Sequence, residues 1–175
     1  MIRFMFTFDK DREEDWLNGW CQRGWAFASF FVGVVTFVPC EPGEFIYQID
    51  LLPGTGLRAS CDYGEYTAFM NEMGVDVLQR WGRWVYLRKR SEDGPFEIYT
   101  DLDSQIEMYR RMRGLFLWGL ILESVLAIPN VLRAFTERDV FLSCMGGIML
   151  LIVITFVRAV RMAGQKIQEL ERQRQ

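Results

Sequence analysis

Glu123 is the ninth residue of an 18-residue apolar run, Leu115–Leu132, and a second 18-residue run, Val140–Val157, has no charged side chain at all. A carboxylate in the middle of such a stretch is costly, so it must face protein and be neutralised or hydrogen-bonded. If the two runs pair as antiparallel helices, Glu123 falls level with about residues 147–149. There Ser143 and Gly147, with Gly146 beside them, offer a face of small side chains that permits close helix approach. Glu123, Ser143, Gly146 and Gly147 are therefore expected to form a polar packing contact, within the hairpin or between copies. The alternative is a proton or cation relay.

Other chemistry-bearing residues are sparse. Glu13, Glu14 and Asp15 read as a solvated helix start favoured by the helix dipole. Glu41 and Glu44 flank a turn; paired carboxylates could do acid–base work, but nothing in the spacing fixes their separation. The chain has no histidine, which removes Ser-His-Asp and Cys-His triads and His-ligated zinc or haem. Cys21, Cys40, Cys61 and Cys144 show no metal-like spacing. Gly54-Thr55-Gly56 is too short for a phosphate loop and lacks its lysine. No catalytic residue, metal or cofactor is expected, and the chain is not expected to be an enzyme.

Aromatic residues are the richer signal. Trp16, Trp20, Trp25, Trp81 and Trp84 could line a ligand pocket or a partner surface, or they could simply fill a tryptophan-rich core. In one strand, Trp81 and Trp84 would point to opposite faces.

The elements that must position these residues begin with the two apolar runs. At 1.5 Å per residue each reaches roughly 27 Å, close to a bilayer's hydrocarbon thickness. Arg133–Asp139 separates them and holds four charges. A soluble core helix rarely stays uncharged all round, since one face meets water. Residues 115–160 are thus expected to form a transmembrane hairpin, with spans about 115–132 and 140–157. Arg110, Arg111 and Arg113 precede it and Arg158, Arg161 and Lys166 follow, so both termini are expected on the cytoplasmic side of the inner membrane. The N-terminus turns acidic at Asp9, unlike a signal peptide, and leaves insertion to the hairpin.

Residues 1–100 carry ten basic against fifteen acidic side chains, which argues against nucleic acid as a partner. Arg88-Lys89-Arg90 reads as a solvated strand end. Residues 2–8 alternate like a strand; Trp16, Leu17, Trp20 and Cys21 mark a helix face before Gly24; Trp25–Val38 reads as one long strand with Gly33 as a candidate interruption. Phe45–Leu52 follows a Pro42-Gly43 turn, Pro53–Ser60 is a loop, Tyr66, Phe69, Met70 and Met73 mark a second helix, and Trp81–Arg90 supplies a last strand. The expected class is α+β: a ferredoxin-like βαββαβ cytoplasmic module over residues 1–100. A tandem of small β-α units is the alternative. Asp101 suits the N-cap of a linker helix over 101–114, and 161–175 reads as the exposed end of the second membrane helix.

Four blocks in order resemble the bacterial domain of unknown function 2812 family: Asp15-Trp16-Leu17-Asn18 with Gly24-Trp25; Cys40-Glu41-Pro42-Gly43-Glu44 with Tyr47-Gln48-Ile49-Asp50-Leu51-Leu52; Arg80-Trp81-Gly82-Arg83-Trp84-Val85-Tyr86; and Gly94-Pro95-Phe96-Glu97-Ile98-Tyr99-Thr100-Asp101. Gly74-Val75-Asp76 departs from the Gly-Trp-Glu more usual there. The resemblance implies a C-terminal membrane hairpin and a setting beside PadR-type transcriptional repressors; it implies no activity and no catalytic residues. The expected function is a membrane-anchored regulatory or interaction module whose partners are the lipid bilayer and a protein or a second copy. The alternative is a small oligomeric transport accessory using Glu123.

Overall fold

The computed structural model describes residues 1–5, 7–56, 58–137 and 140–174. Phe6 of the first expected strand, and Arg138 and Asp139 of the expected external turn, lie outside the described residues. The chain divides into two compact units, Met1–Asp101 and Leu102–Gln175.

The first unit is α+β and is built twice from the same plan. Strand β1 (Ile2–Phe4) leads into helix α1 (Lys10–Cys21), then a hairpin of β2 (Trp25–Phe31) and β3 (Val34–Pro39). Strand β4 (Phe45–Leu51) and a two-rung hairpin, β5 (Gly54–Thr55) with β6 (Arg58–Ala59), lead into helix α2 (Tyr63–Glu72). A second hairpin, β7 (Asp76–Trp81) with β8 (Trp84–Arg90), closes the plan. In each half the leading strand pairs antiparallel with the last one, giving the orders β1-β3-β2 and β4-β8-β7.

The mixed α+β class thus holds, while the strand count and order differ from a ferredoxin-like βαββαβ sheet. Two tight turns make the difference. Val32 and Gly33 both take positive φ, +44° and +80°, the requirement of a two-residue hairpin turn, so Trp25–Val38 folds back on itself instead of running on. Gly82, at φ +63°, turns the chain between β7 and β8, adding a strand ahead of Trp84. The tandem of β-α units is the better description of this arrangement. Pro53–Ser60 is a loop apart from the small β5–β6 hairpin.

Sequence rules account for the helices. Asp9 caps α1, its carboxylate accepting from the Arg12 N–H at 3.2 Å, and Asp62 caps α2 through the N–H groups of Gly64 and Glu65. Gly24 and Gly74 follow the two helices at φ +82° and +74°, the left-handed positions that glycine fills without strain. Met1 and Met5, which flank β1, turn toward the core, while Ile2 and Phe4 within it stay exposed.

The β4-β8-β7 sheet has a core on each face. Tyr47, Ile49 and Tyr86 meet Leu17 and Cys21 of α1 and Phe27, Val35 and Phe37 of the first hairpin. On the opposite face, Val85 and Leu87 meet Met70 of α2, Leu52, Val75 and Phe96. The strict alternation along β8 follows from the two-residue period of a strand.

The second unit is a pair of helices, α3 (Leu102–Glu137) and α4 (Val140–Gln173), which pack along each other. At 1.5 Å per residue they reach about 54 and 51 Å. Both are long and apolar enough to cross a membrane. Pro129 lies inside α3.

Candidate functional site

Helix α1 lies against β4 along one edge, and its side chains there replace a neighbouring strand. Spaced i, i+4 and i+7, Glu14, Asn18 and Cys21 share one helix face. The Asn18 carboxamide accepts from the Tyr47 N–H at 2.8 Å and donates to the Tyr47 carbonyl at 3.1 Å. Glu14 Oε1 accepts from the Ile49 N–H at 2.6 Å, and Cys21 Sγ accepts from the Phe45 N–H at 3.4 Å. An edge strand presents unpaired groups that must find partners, and here a helix supplies them.

Two further carboxamides work the same way. Gln79 of β7 accepts from the Phe30 N–H at 2.7 Å and donates to the Phe30 carbonyl at 2.6 Å, bridging β7 to β2. Gln48 donates to the Phe96 carbonyl and accepts from the Ile98 N–H, fixing the segment after β8 against β4.

Acidic groups sit in the same region. Glu13 Oε1 accepts from the Tyr86 hydroxyl at 2.8 Å, and Lys10 Nζ bonds Glu14 Oε2 at 2.9 Å. Burial pushes the Glu13 carboxyl up to about 7; the Tyr86 hydroxyl acts against the rise and Glu14 adds to it. Burial also raises Glu14, against the pull of Lys10 and the Ile49 N–H. Glu13 and Glu14 are therefore not a solvated helix start: their face of α1 is turned to β8 and β4, and Asp15 alone of the three is exposed. A carboxyl held near neutrality can donate or accept a proton.

On the other face of β4, Asp50 is 3% exposed. It accepts hydrogen bonds from the Tyr66 hydroxyl at 2.9 Å, the Tyr99 hydroxyl at 2.6 Å and the Leu51 N–H at 2.7 Å. Burial, and then the Asp50 charge, hold the Tyr66 phenol well above its usual range. Arg83 is equally buried and donates to the carbonyls of Leu52 and Gly56.

The tryptophans fall into two groups. Trp16 and Trp20 pack edge-on at 6.2 Å and both meet Phe37, at 5.5 and 5.8 Å, while Arg3 and Arg23 each lie over the Trp20 ring. Trp25 and Trp84 are partly buried against the same core. Trp81 is 46% exposed, its edge contact being Phe30 at 5.5 Å. Trp81 and Trp84 are not opposed in one strand; they are direct cross-strand partners either side of the Gly82 turn, and such partners share a face.

The remaining candidates are dispersed. Glu44 accepts from the Glu41 N–H within their turn. Arg88 is bonded to Asp76 at 2.7 Å and lies over Phe45, and Arg90 meets Glu92. Cys21 and Cys40 stand 4.0 Å apart, sulfur to sulfur, and burial followed by Cys21 pushes the Cys40 thiol up to about 11. Among the described residues no three His, Cys, Asp or Glu side chains are grouped to hold a metal.

In the second unit, a methyl added at Gly146 would meet Val131 and Ala134, so Gly146 sits at the helix contact; Gly147 has open space around it, and Ser143 is exposed. A second, tighter contact involves Gly119, where an added methyl would stand 2.5 Å from the Phe156 ring. These two contacts place Glu123 nearer the level of Phe156 than of Gly147. Its Oε1 is buried with no hydrogen-bond partner among the described residues.

The family described as protein of unknown function (DUF2812) matches residues 9–121. The chain belongs to that family. The match covers α1 through the first half of α3, and so takes in the α1–β4 seam, Gln79, Asp50 and the five tryptophans of the first unit. No curated protein and no solved structure matches the chain.

Sequence reasoning missed the Asp50–Tyr66–Tyr99 and Glu13–Tyr86 pairs. Asp50 alternates with apolar neighbours, a pattern that reads as a water-facing side of the strand. Its partners lie 16 and 49 residues away, so no local spacing marks them.

Proposed function

We propose that the chain is a membrane-anchored module in which the α+β unit is presented at the cytoplasmic face of a bilayer to a protein partner. One observation supports this most directly. The side chains that α3 and α4 leave exposed are apolar over their central turns: Trp118, Ile121, Leu122, Val125 and Ile128 on one, Ile148, Leu151 and Ile154 on the other. Buried core helices of a soluble protein would hide such residues; contiguous exposed apolar surface calls for lipid or another chain. The basic residues beside the 110–113 and 158–166 ends support a cytoplasmic location for both termini. Trp81 beside the Gly82 turn is the partner contact we favour, since exposed tryptophan dominates interface energetics.

Alkaline carbonate extraction of cell membranes tests the anchor, and protease access to terminal tags in spheroplasts tests its orientation. Full chain retained in the pellet with protected tags agrees with the proposal; release into the supernatant sinks it. Detergent pull-down of parent and Trp81→Ala side by side tests the contact: a protein bound by both equally would remove Trp81 from it.

The unpartnered Glu123 Oε1 favours a second reading, an oligomeric transport accessory in which Glu123 meets another copy. Proteoliposomes whose pH-dependent flux vanishes with Glu123→Gln would support it; a change in stability alone would not.

A further inference from the structure

A cleft within the helical unit lies between α3 and α4, has a volume of about 490 Å³ and is lined by three arginines and one glutamate. Arg110 and Arg113 line it from α3, and Arg161, Gly164, Gln165 and Gln168 line it from α4. The spacing explains the arrangement: residues 110 and 113 share a face of one helix, as 161, 164, 165 and 168 do of the other.

Charge pairing singles out two of these residues. Glu171, the acidic group in the cleft, is engaged by Arg110 at 2.8 Å. Arg174 meets Asp103 and Lys166 meets Glu169. Arg113 and Arg161 have no ion-pair partner among the described residues, although both line the cleft. Gly164 leaves its floor open, since a methyl added there meets nothing within 4 Å. Gln165 and Gln168 add amide donors at the rim.

Position gives the ligand's chemistry. Arg113 lies two residues before the apolar run that starts at Leu115, and Arg161 four residues after the run that ends at Val157. Groups just beyond the hydrocarbon on one side of a bilayer stand at headgroup depth. Guanidinium groups bind phosphate oxygens in a fork that ammonium groups cannot match. We propose that this cleft binds a phosphate group, supplied by the phosphodiester of an anionic lipid and held by Arg113 and Arg161. The proposal rests on the membrane reading above, and the test separates the two.

The full chain, purified in detergent, is exposed to equal concentrations of phosphatidylglycerol or phosphatidylcholine, and bound lipid is counted by native mass spectrometry. Each arginine near a headgroup contributes about fivefold, so phosphatidylglycerol is expected to be retained at least tenfold better. Arg113→Gln with Arg161→Gln should abolish the preference. Gly164→Leu keeps every charge and fills the floor, so it should displace the lipid while leaving the melting temperature unchanged. Equal retention of both lipids, or a preference surviving either variant, overturns the site. Inorganic phosphate found bound in the same experiment, with no phosphatidylglycerol retained, overturns the lipid source. A chain that carbonate releases from membranes fails at the anchor; a chain that stays integral without lipid preference fails only here.

Discussion

The side-chain amide of Asn18 pairs with both main-chain groups of Tyr47, giving one hydrogen bond and receiving another. Helix α1 is thereby joined to β4 by polar contacts as directional as a strand ladder, in addition to the apolar packing of Leu17 and Cys21. Asn18→Ala strands the Tyr47 N–H and carbonyl without partners. Leaving a buried group unsatisfied costs about 1–3 kcal/mol each, so the variant should lose about 2–6 kcal/mol. Asn18→Asp keeps the acceptor and should lose about half as much. Denaturant titration of the full chain in detergent, followed by tryptophan fluorescence, measures both; a loss below about 0.5 kcal/mol for Asn18→Ala would show that water replaces the amide.

Val32 is a β-branched residue held at φ +44°, and 58% of it is exposed. Its conformation costs about 1–2 kcal/mol that asparagine largely avoids, and Asn-Gly is the preferred pair for this turn. Val32→Asn should therefore raise stability by about 1 kcal/mol. A decrease would mean that the Val32 side chain contributes contacts outweighing its strain.

The Glu13 carboxyl gives the fold a pH dependence of definite sign. Held up to about 7 from its ordinary 4.5, it keeps a proton in the folded state that the unfolded chain releases above pH 4.5. Stability is thus greatest below that value and declines as pH rises to 7. The decline from this group is at most about 3 kcal/mol. Glu14 is raised as well, so Glu13→Gln should remove part of the slope. The variant should melt higher than the parent at pH 8 and at the same temperature at pH 4. An unchanged slope would place the titration elsewhere.

In the hairpin, Gly119 and Gly147 should respond in opposite ways. A side chain at Gly119 drives into the Phe156 ring, whereas one at Gly147 enters open space. Gly119→Leu should lower the detergent melting temperature by an amount matching an overpacking cost of about 1–3 kcal/mol; Gly147→Ala should stay within about 0.5 kcal/mol of the parent. Equal effects at both positions would mean that the two helices pack through another face.

What was legible in the sequence is what short-range rules govern. The two apolar runs, the glycines after α1 and α2, the alternation of Phe45–Leu52 and the α+β class could all be read from neighbours a few residues apart. The hairpin at Val32-Gly33 was not, because valine is among the residues least expected at positive φ and its strain is offset by ladders that form only in the fold. The contact of Gly119 with the Phe156 ring, 37 positions apart, was hidden for the same reason, since the register of α3 on α4 is a long-range property. The three carboxamide bridges were equally hidden, since nothing about an isolated Asn18, Gln48 or Gln79 distinguishes it from a solvated side chain.

The way Gln79 reaches Phe30 has a mechanical outcome. At one edge of the β4-β8-β7 sheet, Glu14, Asn18 and Cys21 of α1 grip β4 at three successive positions; at the other edge, one flexible glutamine reaches β2. The two halves are therefore fastened unevenly, and a load that parts them would start at the Gln79 side and meet the helix seam last.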